Sequence, residues 1–218
     1  MSSSQSKNLS SVEDVGSEGR LTQAERTEIS DQKMFDATVQ LVVQHGPAGT
    51  RLKDVGVLAG YSRGLASHRF GSKDNLFSFT LRRLGDMWLK QLTAATQKHV
   101  GITAVEKALD QHYQFCVDAP DYVRTFYKLW FESVNASSVL GDAIKAIHKR
   151  RHDDVVTWIE CDTSLPQEVK LRADDIAGQF AASVVGIVYY WLANPDELSQ
   201  VRRLHEGLKQ TMTQLIKN

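Results

Sequence analysis

Between Thr50 and Lys73 five basic side chains, Arg51, Lys53, Arg63, Arg69 and Lys73, stand against one acid, Asp54. Crowded cations of this kind bind phosphate. Because salt screens charge beyond about 8–10 Å, only a local excess can do so. The remainder of the chain balances its charge. The whole sequence sums to 26 basic and 26 acidic residues, and the stretch after Asn75 holds 17 of each. Residues 1–19 carry Lys7 against Glu13, Asp14 and Glu18 and are weakly acidic. Hydroxyls are interleaved with the cations. Thr50 and Ser62 sit where each could cap a helix and offer its hydroxyl to a phosphate. Arg63 could present its guanidinium as a fork to O6 and N7 of guanine, a contact worth about 1–3 kcal/mol of discrimination. Lys73 falls in a first helical turn, where its charge and the free amides face the same anion.

Other constellations carry less. Gly60-Tyr61-Ser62-Arg63-Gly64 fits the GxSxG pattern of a hydrolase elbow, but that motif needs a strand before the serine and here a helical pattern precedes it. His148 and His152 have the i, i+4 spacing of metal ligands. They flank Lys149, Arg150 and Arg151, whose charge opposes a cation, so a solvated face is expected. His112 and Cys116 share a helical face without a third ligand. No catalytic group, metal site or cofactor is expected. The two cysteines, Cys116 and Cys161, make neither a disulfide framework nor a CxxC zinc pair.

The elements that must position the basic cluster are helical. Thr22 and Glu25 form a capping-box start, and an apolar stripe of Met34, Ala37, Thr38, Leu41 and Val42 runs toward His45. Gly46-Pro47-Ala48-Gly49 ends that helix. A short helix capped by Thr50 carries Leu52, Val55 and Leu58. Gly60 turns the chain, and Ser62 caps a third helix from Arg63 to about Phe70. Gly71 breaks it and Ser72 caps the next. Six further helices follow, for about nine in all, with the eighth running from Ser164-Pro166 to Ala193. Asn194-Pro195-Asp196-Glu197 reads as the start of the last. No period-2 strand is found, so the fold class is all-α. The Ser-, Glu- and Gly-rich residues 1–20 read as a disordered tail. They lack the apolar core of a signal peptide. The longest apolar stretch, Phe180 to Ala193, falls short of the roughly 20 residues that span a bilayer.

The segment TRLKDVGVLAGYSRGLASHRFGSKDNL from Thr50 resembles the DNA-binding helix-turn-helix of the TetR family of bacterial transcriptional regulators. The likeness rests on Thr50, Ala59-Gly60, Tyr61, Ser62, Gly64, Phe70 and Ser72-Lys73-Asp74. Two positions depart from it. Ser67 stands where the family usually has Tyr, and Arg69 where it usually has His, which points to a different operator sequence. The resemblance implies a three-helix unit whose third helix enters the major groove. The expected base-facing residues are Arg63, Gly64, Leu65, Ser67 and His68, with Thr50, Arg51, Ser62, Arg69 and Lys73 beside the backbone.

It implies domains at 21–72 for DNA binding and 73–218 for effector binding and dimerisation. An apolar or amphipathic effector would sit among His112, Phe115, Cys116, Tyr127, Trp130, Phe131, Trp158 and Phe180. The eighth helix is apolar nearly all round, so it needs a second partner face. Val184, Val188 and Trp191, with Leu204, Leu208 and Met212 of the last helix, are the expected contacts of a two-fold four-helix interface, as in the family. The expected protein is a cytoplasmic homodimeric repressor on a palindromic duplex, with no catalytic activity and no membrane partner. The competing reading is an all-α carrier or enzyme whose basic patch binds an anionic metabolite. Salt separates the two, because contact with several phosphates weakens steeply with log salt.

Overall fold

Thr22 opens the first helix as its spacing requires. Its hydroxyl accepts the Glu25 amide at 3.2 Å while the Glu25 carboxylate accepts the Thr22 amide at 2.7 Å. The computed structural model describes residues 21–135 and 138–217; the tail expected over 1–20 lies outside the described residues. The helices are α1 (Gln23–Gly49), α2 (Leu52–Leu58), α3 (Leu65–Phe70), α4 (Lys73–Thr96), α5 (Gly101–Asp118) and α6 (Pro120–Glu132). After a short 3-10 turn come α7 (Ser138–Glu160), α8 (Gln167–Lys170), α9 (Ala173–Ala193) and α10 (Leu198–Lys217). The fold is all-α. The expected eighth helix is two, the four-residue α8 and the long α9, so ten α-helices stand among the described residues in place of nine.

The buried stripe of α1 is wider than its period suggests. Phe35 and Val39 join Met34, Ala37, Thr38 and Val42 in the interior, because α1 packs against α2, α4 and α6. It therefore belongs to the small N-terminal unit and to the helical bundle at once. Near its end the helix kinks at Gly46 (φ 69°, ψ 171°), a backbone that an L side chain rarely adopts. Pro47 then offers no N–H, so the Val43 carbonyl loses its partner four residues on. Lys128 of α6 fills that gap, donating to the carbonyls of Val43 (3.0 Å) and Val42 (3.4 Å).

α4 links the two regions. Ser72 caps it by accepting the Asn75 amide at 3.1 Å, and Phe70 at the end of α3 packs on Phe79. Arg83, one turn further along, donates to Glu28 and Gln32 of α1. The bundle is built by α4 with α5 and α7, α7 with α9, and α10 with α5 and α9. α9 is long and apolar, with a mean hydropathy of 1.5, and it packs within this bundle against α7 and α10. Asn194 ends α9 instead of starting α10. Its side-chain amide donates back to the Tyr190 carbonyl, and α10 begins only at Leu198.

Candidate nucleic-acid interface and effector cavity

α2 and α3 meet at a glycine that the sequence pattern does not single out. A Cβ on Gly56 would lie 2.8 Å from the Ser62 carbonyl and 3.7 Å from the Ala66 Cβ. The two helices can approach this closely only with a hydrogen there. The Gly56 carbonyl in turn accepts the Tyr61 amide at 2.9 Å, which fixes the turn. Gly60 adopts φ 81° within it. Ala59, expected to allow the crossing, is buried beside it. The helix pair is thus set by Gly56 and the turn by Gly60.

The caps of these helices differ from expectation. Arg51 is the N-cap of α2, with no side-chain bond, while Thr50 is wholly buried and its hydroxyl donates to the Gly46 carbonyl at 2.9 Å. Thr50 therefore closes the end of α1 and is removed from the phosphate-facing set. Ser62 does not cap α3 either. The helix begins at Leu65 behind Gly64, and the Ser62 backbone carbonyl accepts the Leu65 amide at 3.1 Å. Ser62, Arg63, Gly64, Ser67 and His68 are all exposed, and Leu65 is half-buried. Nothing lies within 4 Å of a Cβ built on Gly64, so this corner of the surface is open.

Arg69 has a different task from the one expected. Its guanidinium pairs with both oxygens of Asp31 on α1, at 3.0 and 2.6 Å, and this pairing raises its pKa. Arg69 thus braces α3 against α1, and its charge is already answered within the chain. Lys73 lies half-buried at the start of α4, where its ammonium donates to the Pro47 carbonyl at 3.2 Å. Arg51, Lys53 and Arg63 remain exposed. Lys33 on the outer side of α1 joins them, its ammonium 5.7 Å from the centre of the Tyr61 ring. No local pattern could have placed Lys33 there, because the contact spans 28 residues of chain.

Residues 35–78 match the family model described as bacterial regulatory proteins, tetR family. Over these residues the chain is similar to the DNA-binding segment of the TetR family. It is similar to the HTH-type transcriptional regulator BetI of Burkholderia mallei, 29% identical over 76% of this chain and 81% of that protein. The likeness to the protein of the same name from Paraburkholderia phymatum is also 29% identical, over 50% of this chain and 56% of that one. Its fold is that of a solved transcriptional regulator from Rhodococcus sp. Rha1, with a TM-score of 0.75 and 19% identity over 86% of this chain and 96% of the other. These likenesses, over the helix-turn-helix and beyond it, make the chain a DNA-binding transcriptional regulator.

In the bundle, the eight aromatic and polar residues expected around an effector form packed interior. Burial leaves His112, Phe115, Cys116, Tyr127, Trp130 and Phe180 almost no surface, with Phe131 and Trp158 partly covered. Small gaps of about 20 and 10 Å³ touch this group, and Trp130 also borders an open outer groove between α7 and α9. Its polar atoms satisfy one another. His112 Nδ1 lies 2.8 Å from His205 Nε2, His112 Nε2 lies 3.3 Å from the Tyr127 hydroxyl, and His205 Nδ1 lies 2.8 Å from the Val201 carbonyl. Burial first, and then the neighbouring His205 and Arg151, hold the His112 ring well below the ordinary imidazole pKa. Burial also pushes the Cys116 thiol up to about 12, so it stays protonated and unreactive.

The room is elsewhere. A cavity of about 560 Å³ opens between α4 and α7, and none of the eight expected residues lines it. Its apolar wall includes Trp88, Leu89, Leu92, Ala146 and Ile147, and its polar rim includes Arg82, Asp86, Asp142, Arg150 and Asp154. Trp88 and Arg151 separate it from the packed aromatic group, and both also border the two small gaps. The periodicity of the helices could not distinguish the two sides, since both are apolar.

The outer face of the bundle differs from expectation as well. Val184, Val188 and Trp191 of α9 and Leu208 and Met212 of α10 are buried in their own chain, and only Leu204 is half-exposed. The face of α9 turned outward carries Gly178, Ala182, Gly186 and Tyr189. Period alone could not choose between the faces of so apolar a helix. His148 and His152 make separate contacts, the first against the Trp130 ring and the second 3.3 Å from the Asp174 carboxylate.

Proposed function

We propose that this regulator is a cytoplasmic repressor without catalytic activity, binding a palindromic operator as a homodimer and released by a small effector. The observation that carries the reading is the exposed edge of the second and third helices. Arg63, Gly64, Ser67 and His68 stand free there, while Asp31 and Gly56 hold α3 rigidly from behind. Residues 21–72 would form the DNA-binding unit and residues 73–218 the effector and dimer unit. In a two-fold dimer the two recognition helices would enter successive major grooves about 34–36 Å apart. Arg63 and His68 would read base edges, with Leu65 beside them. Arg51, Ser62 and Lys73 would hold the backbone, joined by Lys33 from α1.

Dimerisation is supported by the outward face of α9, where Gly178, Ala182 and Gly186 recur every four residues and Tyr189 is 64% exposed. Small residues at that spacing let two helices cross closely, and the ring supplies apolar area beside them. The effector's place is supported by the cavity between α4 and α7. α4 starts against the end of α1 at Lys73 and passes the cavity at Gly85, about 18 Å further along its axis. A ligand that parts α4 from α7 would therefore shift the helix-turn-helix through a rigid lever. It acts by preferring one of two arrangements, with no contact to DNA.

Arg63→Ala tests the placement of the recognition edge. On a duplex recovered by selection from random DNA, fluorescence anisotropy should show an affinity loss of about tenfold to a hundredfold. The thermal midpoint and oligomeric state should stay at wild-type values. Unchanged affinity would remove this helix from the groove.

A further inference from the structure

We propose that the cavity between α4 and α7 takes an anionic amphipathic ligand, whose acid group pairs with Arg151 while its apolar body lies along Trp88 and Ile147. The inference rests on the reading of that cavity as the effector site. It adds the charge of the ligand.

Arg151 is 8% exposed, yet among the described residues no carboxylate pairs with it. A guanidinium cannot shed its proton to escape burial, as a lysine or histidine can. A buried charge without a counter-charge is costly, so it is retained only where something meets it. Within the chain it has only neutral company. One nitrogen donates to the Tyr127 hydroxyl at 3.4 Å, a long bond, and the guanidinium lies 5.4 Å from the centre of the Trp130 ring. The acids around the cavity do not answer it. Asp154 pairs with Arg150 at 3.0 Å, Asp142 lies 3.5 Å from Lys145, and Asp86 is exposed at the mouth. Arg151 also borders the open space itself. The imidazoles beside it are held below their usual pKa, His112 by burial and then by His205 and Arg151, His148 by burial and then by Arg151, so both stay neutral and neither supplies a counter-charge.

The cavity is large enough for a ligand of this kind, at about 560 Å³ against the 300–1,000 Å³ typical of small-molecule sites. Its walls are mainly apolar. An acid with an aromatic or acyl body matches both features. A cationic ligand would have to approach an unanswered guanidinium.

A matched pair of dyes tests this. 8-Anilinonaphthalene-1-sulfonate and N-phenyl-1-naphthylamine share one aromatic frame and differ by the sulfonate. Fluorescence titration of the full chain should show the sulfonate binding about tenfold more tightly or better, as a charge-assisted hydrogen bond implies. In Arg151→Met the preference should vanish while the neutral dye binds as before. In Arg151→Lys part of the preference should remain. Ala146→Trp, which fills the cavity mouth and leaves Arg151 intact, should weaken both dyes. Dye binding that ignores Ala146→Trp would show the cavity is not the site and would overturn the effector reading with it. Loss of both dyes in Ala146→Trp, without any sulfonate preference or any effect of Arg151→Met, would overturn the anion assignment and leave the cavity standing.

Discussion

Gly56→Val should reduce operator affinity by more than a hundredfold and lower stability by about 2–3 kcal/mol. The reason is steric. The first added carbon would sit 2.8 Å from the Ser62 carbonyl, and the neighbouring atoms are the Ala66 side chain and the Arg63 carbonyl, each 3.7 Å away. A backbone oxygen cannot rotate aside as a flexible side chain can, so α3 must move. Overpacking of this kind costs about 1–3 kcal/mol. Valine's better helix propensity than glycine offsets only a few tenths of a kcal/mol. The effect on DNA exceeds the effect on folding, because displacing the recognition edge by less than an ångström disturbs every base contact together. Gly64→Ala is the control. Nothing lies within 4 Å of its new methyl, so its thermal midpoint should not fall. Urea unfolding and anisotropy on one operator duplex measure both quantities. A Gly56→Val protein as stable and as tightly bound as wild type would show that the helices do not meet there.

Lys128→Met should lower stability by about 2 kcal/mol, although the side chain is only half-buried and forms no ion pair among the described residues. Its ammonium satisfies carbonyls that α1 cannot satisfy itself, since Pro47 supplies no N–H to Val43. Hydrogen bonds to a charged group contribute about 1.5–3 kcal/mol, and the helix end adds an attraction for positive charge. For a chain of this size about 2 kcal/mol corresponds to roughly 4–8 °C in the midpoint. Lys128→Arg should recover most of the loss. Because Lys128 belongs to α6 and its acceptors to α1, the same substitution loosens the bundle's hold on the DNA-binding unit. Amide exchange in α1 near Val42 should quicken. A midpoint unmoved by Lys128→Met would contradict the clamp.

These two residues mark the boundary of what local pattern reveals. Glycines that punctuate helices were legible, because a turn needs them whatever surrounds it. Gly60 and Gly71 adopt φ of 81° and 73° where the chain was expected to turn. The Thr22–Glu25 capping box and the Ser72 cap were legible for the same reason, being contacts within four residues. The family resemblance found the helix-turn-helix because its motif residues lie within about 25 positions. What escaped notice was set by contacts between distant segments. Asp31 and Arg69 are 38 residues apart, and nothing in either neighbourhood shows that the charge is already paired. Thr50 has the composition of a cap, but the kink at Gly46 draws its hydroxyl inward.

The same limit explains the cavity and the outer face. Helical periodicity says that a face is apolar, and cannot say which neighbour covers it. His112, Tyr127 and Trp130 have the makeup of pocket residues, yet they pack on one another with Arg151 beside them, and the open volume lies on the far side of Trp88. On α9, valines and a tryptophan looked like interface, but the interior claimed them and left glycine, alanine and Tyr189 outside.

Selection of duplexes from random DNA with the full-length chain tests the central claim most directly. The account predicts an inverted repeat whose half-sites are centred about one helical turn, or a whole multiple of it, apart. It also predicts binding that weakens steeply with log salt. Recovery of no shared sequence, or of a single unrepeated half-site bound by a monomer, would contradict it.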